Sequence, residues 1–149
     1  MKLRHINNQG QTLLEIVVAV GVIAVVLTAL VTAVTASLRF SQAGRFRSQA
    51  VKFAQEGIEL TRKLRDTRPW AEFTTYSGTG TADWCLDESG QWTASDGTGC
   101  PITPTSNFWR TVTLTLNGNV MDVTSVVSWG ERTQSSTVSL RTYLSDWRQ

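Results

Sequence analysis

The residue best placed to do chemistry in this sequence is Glu15, an acid at the head of a long apolar run. No charged side chain follows it between Ile16 and Leu38, about 23 residues that rise roughly 34 Å as a helix and so match a bilayer core. A carboxylate carried into lipid costs about 2.5–3.5 kcal/mol. We therefore expect Glu15 to meet a cation in the membrane, which is charge pairing rather than catalysis.

A short basic and polar leader precedes Glu15. Lys2 and Arg4 are followed by Gly10, and the junction reads Q-G-Q-T-L-L-E-I-V-V-A-V. Leader and junction resemble the type III leader of type IV pilin-like proteins, the subunits of pili and of secretion and competence pseudopili. The resemblance implies that a prepilin peptidase cuts after Gly10 and methylates the new amine on Gln11, where the family usually has Phe.

The same resemblance implies a role and partners for the apolar segment. Glu15 becomes the fifth mature residue and pairs with the amine of Gln11 on a neighbouring subunit, where the two charges neutralise each other away from water. The implied partners are other pilin or pseudopilin subunits, an inner-membrane assembly platform and membrane lipid. The chain would cross the cytoplasmic membrane once, with its C-terminal part outside the cytoplasm, and later lie in a pilus or pseudopilus.

Two other interpretations of the apolar segment remain open. An ordinary signal sequence, with a cut site between Ala36 and Ser37, would belong to a secreted or membrane-anchored adhesin or carbohydrate-binding domain. A plain signal anchor would hold the chain in the membrane without an assembly role. The apolar run is longer than the usual core of about 7–15 residues, and an acid opens it. Both features favour the pilin-like interpretation.

The two cysteines indicate an oxidising compartment for the C-terminal part. Cys85 and Cys100 lie in a polar loop, residues 69–108, and an exported pair is expected to form a disulfide that closes about 15 residues. Two free thiols, or half of a metal site, are the alternatives. A disulfide would hold a loop that is otherwise unusually long for a compact domain.

The sequence offers little for catalysis or cofactor binding. The only histidine is His5, in the leader, so a histidine-dependent triad is excluded from the mature chain, and there is no Gly-rich phosphate loop. Acids in the loop follow no known calcium-ligand spacing, and we expect them to be solvated. These acids are Asp83, Asp87, Glu88 and Asp96. We therefore predict no enzyme, no metal and no other cofactor.

Two helical segments must position the leader and Glu15. Residues 1–10 are the leader, residues 11–38 predict a membrane or filament-core helix, and residues 39–68 continue it as an amphipathic stem that ends at Pro69. The stem carries an apolar stripe of Ala43, Phe46, Ala50, Phe53, Gly57, Leu60 and Leu64. The stripe is expected to pack on a sheet, with a coiled coil as the alternative.

The stem and the head differ in charge. Residues 39–68 carry eight basic and three acidic side chains, whereas residues 69–149 carry four basic and eight acidic ones. The opposite charges would favour packing of one subunit's head on another subunit's stem. The alternative, which is simpler, is that both charged surfaces are solvated. Nucleic acid is not favoured as a partner, because assembly would bury the stem.

The head completes the predicted fold. Within residues 109–147 the period changes to two, as Val112, Leu114 and Leu116 alternate with threonines before the turn at Asn117-Gly118-Asn119. We predict an α+β fold in which the long helix packs on a three-stranded antiparallel meander. The stem sequence A-Q-E-G-I-E-L-T-R-K-L-R-D-T is similar to that of minor pilins and minor pseudopilins, the PilV and GspI kinds, which share this architecture.

Overall fold

The computed structural model describes residues 9–97, 100–103, 105, 107–131 and 134–147. Two compact units divide between Ala43 and Gly44. The first is the N-terminal part of α1, a helix that begins at Gln9 and ends at Thr67. The second contains the rest of α1 and the head. A predicted helix of more than 50 residues is therefore confirmed.

The second unit places a five-stranded antiparallel sheet after the helix. A short helix, α2 (Trp70–Thr74), starts behind Pro69 and is followed by a 3₁₀ turn at Thr75–Ser77. The strands are β1 (Thr81–Leu86), β2 (Trp92–Ala94), β3 (Phe108–Asn117), β4 (Val120–Glu131) and β5 (Gln134–Ser145), in the order β2-β1-β3-β4-β5. The predicted α+β class, with a long helix and an antiparallel sheet, is confirmed.

The loop between stem and meander contributes two of the five strands, so the expected count of three was too low. β3, β4 and β5 form the predicted meander, with Gly118 at φ +60° in its first turn. β1 then pairs with β3, placing Trp84 opposite Val112, and β2 pairs with β1. In β1 the apolar side chains Ala82, Trp84 and Leu86 alternate with polar ones, a strand pattern that the glycines around it obscured.

The stem packs one face on the sheet. The buried residues of this face overlap the predicted apolar stripe but lie closer to the C-terminal end of the helix. Ala50 and Gly57 are buried as expected, and Phe53, Leu60 and Leu64 are partly buried. Ala43 and Phe46 are exposed, whereas Ala54, Ile58 and Thr61 are buried in their place. The shift arises because small and hydroxyl side chains, which weigh little in a hydrophobicity pattern, allow the closest approach to the sheet.

Gly57 lies where the stem comes close to the sheet. A Cβ atom at this position would lie 2.5 Å from Ser125 Oγ and 3.1 Å from Arg110 Cδ. Ser125 is the polar exception on the inward face of β4, and its buried hydroxyl has no hydrogen-bond partner among the described residues. Any side chain at position 57 would therefore have to displace the side chains of Ser125 and Arg110 or move the helix away from the sheet.

Arg110 is a fully buried cation between the stem, β1 and β3. Its guanidinium donates to the carbonyls of Leu86 at 3.0 Å, Phe53 at 3.0 Å and Asp87 at 2.7 Å, and lies 3.3 Å from the carboxylate of Glu56. Burial lowers the pKa of Arg110, and the nearby Glu56 partly offsets that effect. This one side chain links the helix backbone to the end of β1.

Cys85 of β1 and Cys100 form the predicted disulfide, with their Cα atoms 5.0 Å apart. The bridge closes a segment of 15 residues, for which chain entropy gives about 3 kcal/mol in one account of disulfide stabilisation. The segment after Cys100 is held as well, because the amide of Arg110 donates to the Cys100 carbonyl at 2.8 Å. The bridge therefore ties the end of β1 to the chain beyond β2, and the amide of Arg110 holds the residue at the far end of the bridge on β3.

Candidate functional site

The first unit of the structure exposes almost its whole apolar surface. The described leucine, isoleucine and valine side chains between Leu13 and Leu38 are 50–69% exposed. This one helix is long and apolar enough to cross a membrane, judged by length and composition within the described residues. Apolar surface of this extent must be covered by lipid or by other chains.

Glu15 lies on this helix, one turn beyond Gln11. Its side chain is exposed and makes no ion pair with any residue that the structure describes. Gly10 and Gln11 belong to the first turn of α1, which begins at Gln9. Residues four apart lie on the same face of a helix, so the structure brings positions 11 and 15 to one face of one helical end.

Three threonines interrupt the apolar surface without leaving a hydroxyl unsatisfied. Thr28 donates to the carbonyl of Val25 at 2.8 Å, Thr32 to that of Ala29 at 2.8 Å, and Thr35 to that of Thr32 at 2.9 Å. Each hydroxyl therefore bonds within its own helix. Glu15 is the only charged side chain in residues 13–38, so its charge is the one that a partner outside the helix would have to neutralise.

An aromatic cluster in the head bears on the adhesin interpretation. Tyr76, Trp84 and Trp92 lie with ring centroids 5.3–6.2 Å apart, and the indole of Trp84 donates to the carbonyl of Tyr76 at 2.7 Å. The two tryptophans are half-buried and pack against the core that contains Phe73 and Val112. Their contacts support a structural role and do not single out a sugar-binding platform.

Two of the loop acids, Asp83 and Asp87, accept hydrogen bonds from other residues of the head. Asp83 accepts from the hydroxyl of Thr113 at 2.6 Å, and Asp87 accepts from Ser89 Oγ and from the amide of Gln91. The bond from Ser89, followed by that from Gln91, lowers the pKa of Asp87. Within the described ranges, no group of three or more His, Cys, Asp or Glu side chains could hold a metal ion.

The structure also shows residues that the sequence analysis did not single out. On β3, Arg110 falls on the same face as the buried Phe108, Val112 and Leu114, because alternate residues of a strand point to the same side. This alternation in the sequence could have predicted that Arg110 is buried. The charge of the side chain masked that signal. Arg110 positions the stem on the head and touches no candidate ligand.

Comparison with known proteins identifies the N-terminal segment. Residues 6–31 match the family model described as the prokaryotic N-terminal methylation motif. No curated protein and no solved structure matches the chain significantly. The matched residues include Gly10, Gln11, Glu15 and the apolar run as far as Val31, and they leave the head outside the match.

The methylation motif and the exposed apolar helix together support a type IV pilin-like protein that is anchored in a membrane by its N-terminal helix. The motif implies processing by a prepilin peptidase and assembly with other pilins. It also indicates a structural protein rather than an enzyme.

Proposed function

We propose that this chain is a minor pilin or pseudopilin, a structural subunit that is cut after Gly10 and moved from the membrane into a filament. The observation that carries the proposal is the methylation motif at residues 6–31, which opens a helix with an exposed apolar surface. The similarity of residues 54–67 to minor subunits supports the finer assignment. The head lies outside the cytoplasm, because its disulfide requires an oxidising compartment.

Assembly in this proposal is non-covalent. Cleavage leaves a positive amine on Gln11, and Glu15 supplies a negative charge one helical turn later. When helices leave lipid and pack together, the carboxylate of one copy meets the amine of another, and the pair sets their axial register. The apolar side chains supply most of the contact area, and the charges select one arrangement among many of similar area.

Processing gives the first test. Intact-mass and terminal analysis of the chain from membranes of cells that carry its filament system should show a product that begins at Gln11 with a methylated amine. Gly10→Leu should retain the leader, because the peptidase would have to accommodate a bulky side chain at the cut. A native product that begins at Ser37 would overturn the proposal, and so would normal shortening of Gly10→Leu.

Glu15→Ala tests assembly. The variant should be cleaved normally, yet its share in sheared filaments should fall about tenfold or more, because removing one partner of a buried ion pair leaves the other charge uncompensated. Glu59→Ala is the matched control, since Glu59 is an exposed acid on the same helix whose described partner is Arg62. Equal incorporation of both variants would contradict the assigned role of Glu15.

A further inference from the structure

The last strand of the head, β5, forms one edge of the sheet. It pairs with β4 on one side and with no described strand on the other, and its pairing with β4 runs unbroken from Gln134 to Ser145. The opposite edge of the sheet is β2, which has only 3 residues against 12 in β5. A long, regular edge strand presents a row of unpaired backbone N–H and C=O groups.

The hydrogen bonds of β3 show which residues of β5 supply that row. The amides of Arg110 and Leu116 donate away from β4, to the carbonyls of Cys100 and Gly80, both at 2.8 Å. Alternate residues of an antiparallel strand bond to opposite neighbours, so the odd-numbered residues of β3 bond to β4. These lie opposite even-numbered residues of β4, which leaves the odd-numbered residues of β4 to bond to β5.

The odd-numbered residues of β5 therefore direct their backbone groups to the free edge. Odd-numbered residues of β4 lie opposite even-numbered residues of β5, as Val123 lies opposite Thr142. The carbonyl of Ser145 agrees with this assignment, since it accepts from Arg65 Nη1 at 3.0 Å. The edge-facing groups of the other odd-numbered residues, which we call the open edge, have no hydrogen-bond partner in the part of the chain that the structure describes. The open edge consists of Ser135, Thr137, Ser139, Arg141 and Tyr143.

The open edge lacks the features that usually protect a sheet edge from other strands. Residues 135–145 contain no proline and no lysine, and their pairing with β4 has no bulge. The one charged side chain among them is Arg141, whose Nε donates to Asp122 Oδ1 of β4 at 2.7 Å. This contact holds the charge over the sheet. An added strand would therefore meet neither a bulky side chain fixed across the edge nor an unpaired charge.

The geometry of the open edge fits an extended polypeptide. Its N–H and C=O groups recur about every 6.8 Å along the strand, which is the spacing that a second extended backbone presents. Directly opposite residues of paired strands lie on the same face of a sheet. An added segment would thus place apolar side chains beside the half-buried Val138 and Leu140, and polar ones beside the hydroxyls of the open edge.

Symmetric pairing with a second copy of the chain is disfavoured. Antiparallel pairing of two β5 strands requires a two-fold axis normal to the sheet, which reverses every direction in the sheet plane. Gly44, where each stem joins its membrane helix, would then lie at opposite ends of the pair, although both copies enter one membrane. Parallel pairing about a two-fold axis would join the apolar face of one sheet to the polar face of the other.

We propose that the open edge binds an extended segment of a different protein, in which apolar and polar residues alternate, and that this segment becomes a sixth strand of the sheet. Backbone hydrogen bonds would supply most of the affinity, and the side chains beside Val138 and Leu140 would select the segment. The proposal rests on the sheet of the head alone, so it does not depend on a filament role.

A fluorescently labelled peptide that copies residues 135–145 is the probe, because it alternates apolar and polar residues. Its fluorescence anisotropy, measured as the full chain in detergent is added, gives the Kd. In the proposed pairing the peptide copies of the odd-numbered residues face β5. N-methylation at the copies of Thr137, Ser139 and Arg141 should therefore weaken binding about tenfold or more. N-methylation at the three even-numbered copies from 138 to 142 should change the Kd less than about threefold.

Two variants of the chain test the same contact from its other side. Ser139→Pro removes one N–H of the open edge, at an edge position where proline is tolerated, and should weaken binding of the unmodified peptide about fivefold or more. Ser139→Ala removes the hydroxyl but keeps the N–H, and it should bind the peptide as the natural chain does. The two methylated peptides test the pairing on the natural chain even if Ser139→Pro disturbs the fold.

Several results would overturn the proposal. They are failure of the unmodified peptide to bind, equal loss of binding by the two methylated peptides, and equal binding by Ser139→Ala and a folded Ser139→Pro. A second copy is tested in vesicles that contain the full chain alone, with a photoreactive benzophenone side chain in place of Ser139. Covalent dimers joined at position 139 would also overturn the proposal, because a second copy would then occupy the open edge.

Discussion

Replacing Arg110 with methionine should destabilise the head by about 3 kcal/mol, because it leaves one buried and two partly buried carbonyls without a charged donor. The guanidinium is fully buried and donates to the backbone of Phe53, Leu86 and Asp87. Methionine fills a similar volume, so the loss reflects hydrogen bonding rather than a cavity. Denaturation of the full chain in detergent, followed by tryptophan fluorescence, measures the free energy of unfolding.

Arg62→Met is the control for this prediction. Arg62 is exposed and pairs with Glu59 three residues earlier, so its loss should cost less than about 1 kcal/mol. Equal destabilisation by the two variants would show that the buried guanidinium contributes no more than an exposed one. Glu56→Gln should have a smaller effect than Arg110→Met, because it leaves all three carbonyls with their donor.

The second large effect is expected from a single methyl group at Gly57. Gly57→Ala should destabilise the head by about 1–3 kcal/mol, because the new Cβ would lie 2.5 Å from Ser125 Oγ and 3.1 Å from Arg110 Cδ, so that buried side chains of the head must shift. Gly44→Ala makes the same change on the same helix, where nothing lies within 4 Å of the added atom. That control should stabilise the helix by about 0.5–1 kcal/mol.

A double variant identifies the contact responsible. Ser125→Ala removes the oxygen that the new methyl group would meet, and since this hydroxyl has no hydrogen-bond partner among the described residues, the single change should cost little. Gly57→Ala/Ser125→Ala should therefore recover much of the lost stability. If the free energy of unfolding of the double variant is no higher than that of Gly57→Ala, the destabilisation arises from a contact other than the one with Ser125 Oγ.

Local patterns predicted the parts of this molecule that depend on local chemistry. The leader, Glu15 and the apolar run are contiguous, and the strands around Asn117-Gly118-Asn119 alternate regularly, so the methylation motif and the meander followed from short stretches. β1 was missed because its stability comes from pairing with β3, more than twenty residues away in sequence, and β2 was missed because it pairs only with β1.

The contacts that hold the stem on the sheet were harder to predict for a related reason. Gly57 was assigned to the apolar stripe, yet its close approach to the sheet depends on Ser125, a residue far along the chain. The alternation along β3 predicts that Arg110 is buried, whereas its charge predicts that it is exposed. Its burial depends on the three carbonyls that accept its hydrogen bonds, and these come from distant parts of the sequence. Pairing of Glu15 with an amine stays a prediction.

The hydroxyls of Thr28, Thr32 and Thr35 each donate to a carbonyl of the preceding turn of the helix. These three groups therefore need no hydrogen-bond partner from lipid or from another chain. None of the three has to exchange a bond when fatty tails give way to protein neighbours. In the proposed assembly, the anchor helix would therefore move from lipid to protein surroundings without breaking these three hydrogen bonds, and the charge of Glu15 would be the feature that favours one surrounding over the other.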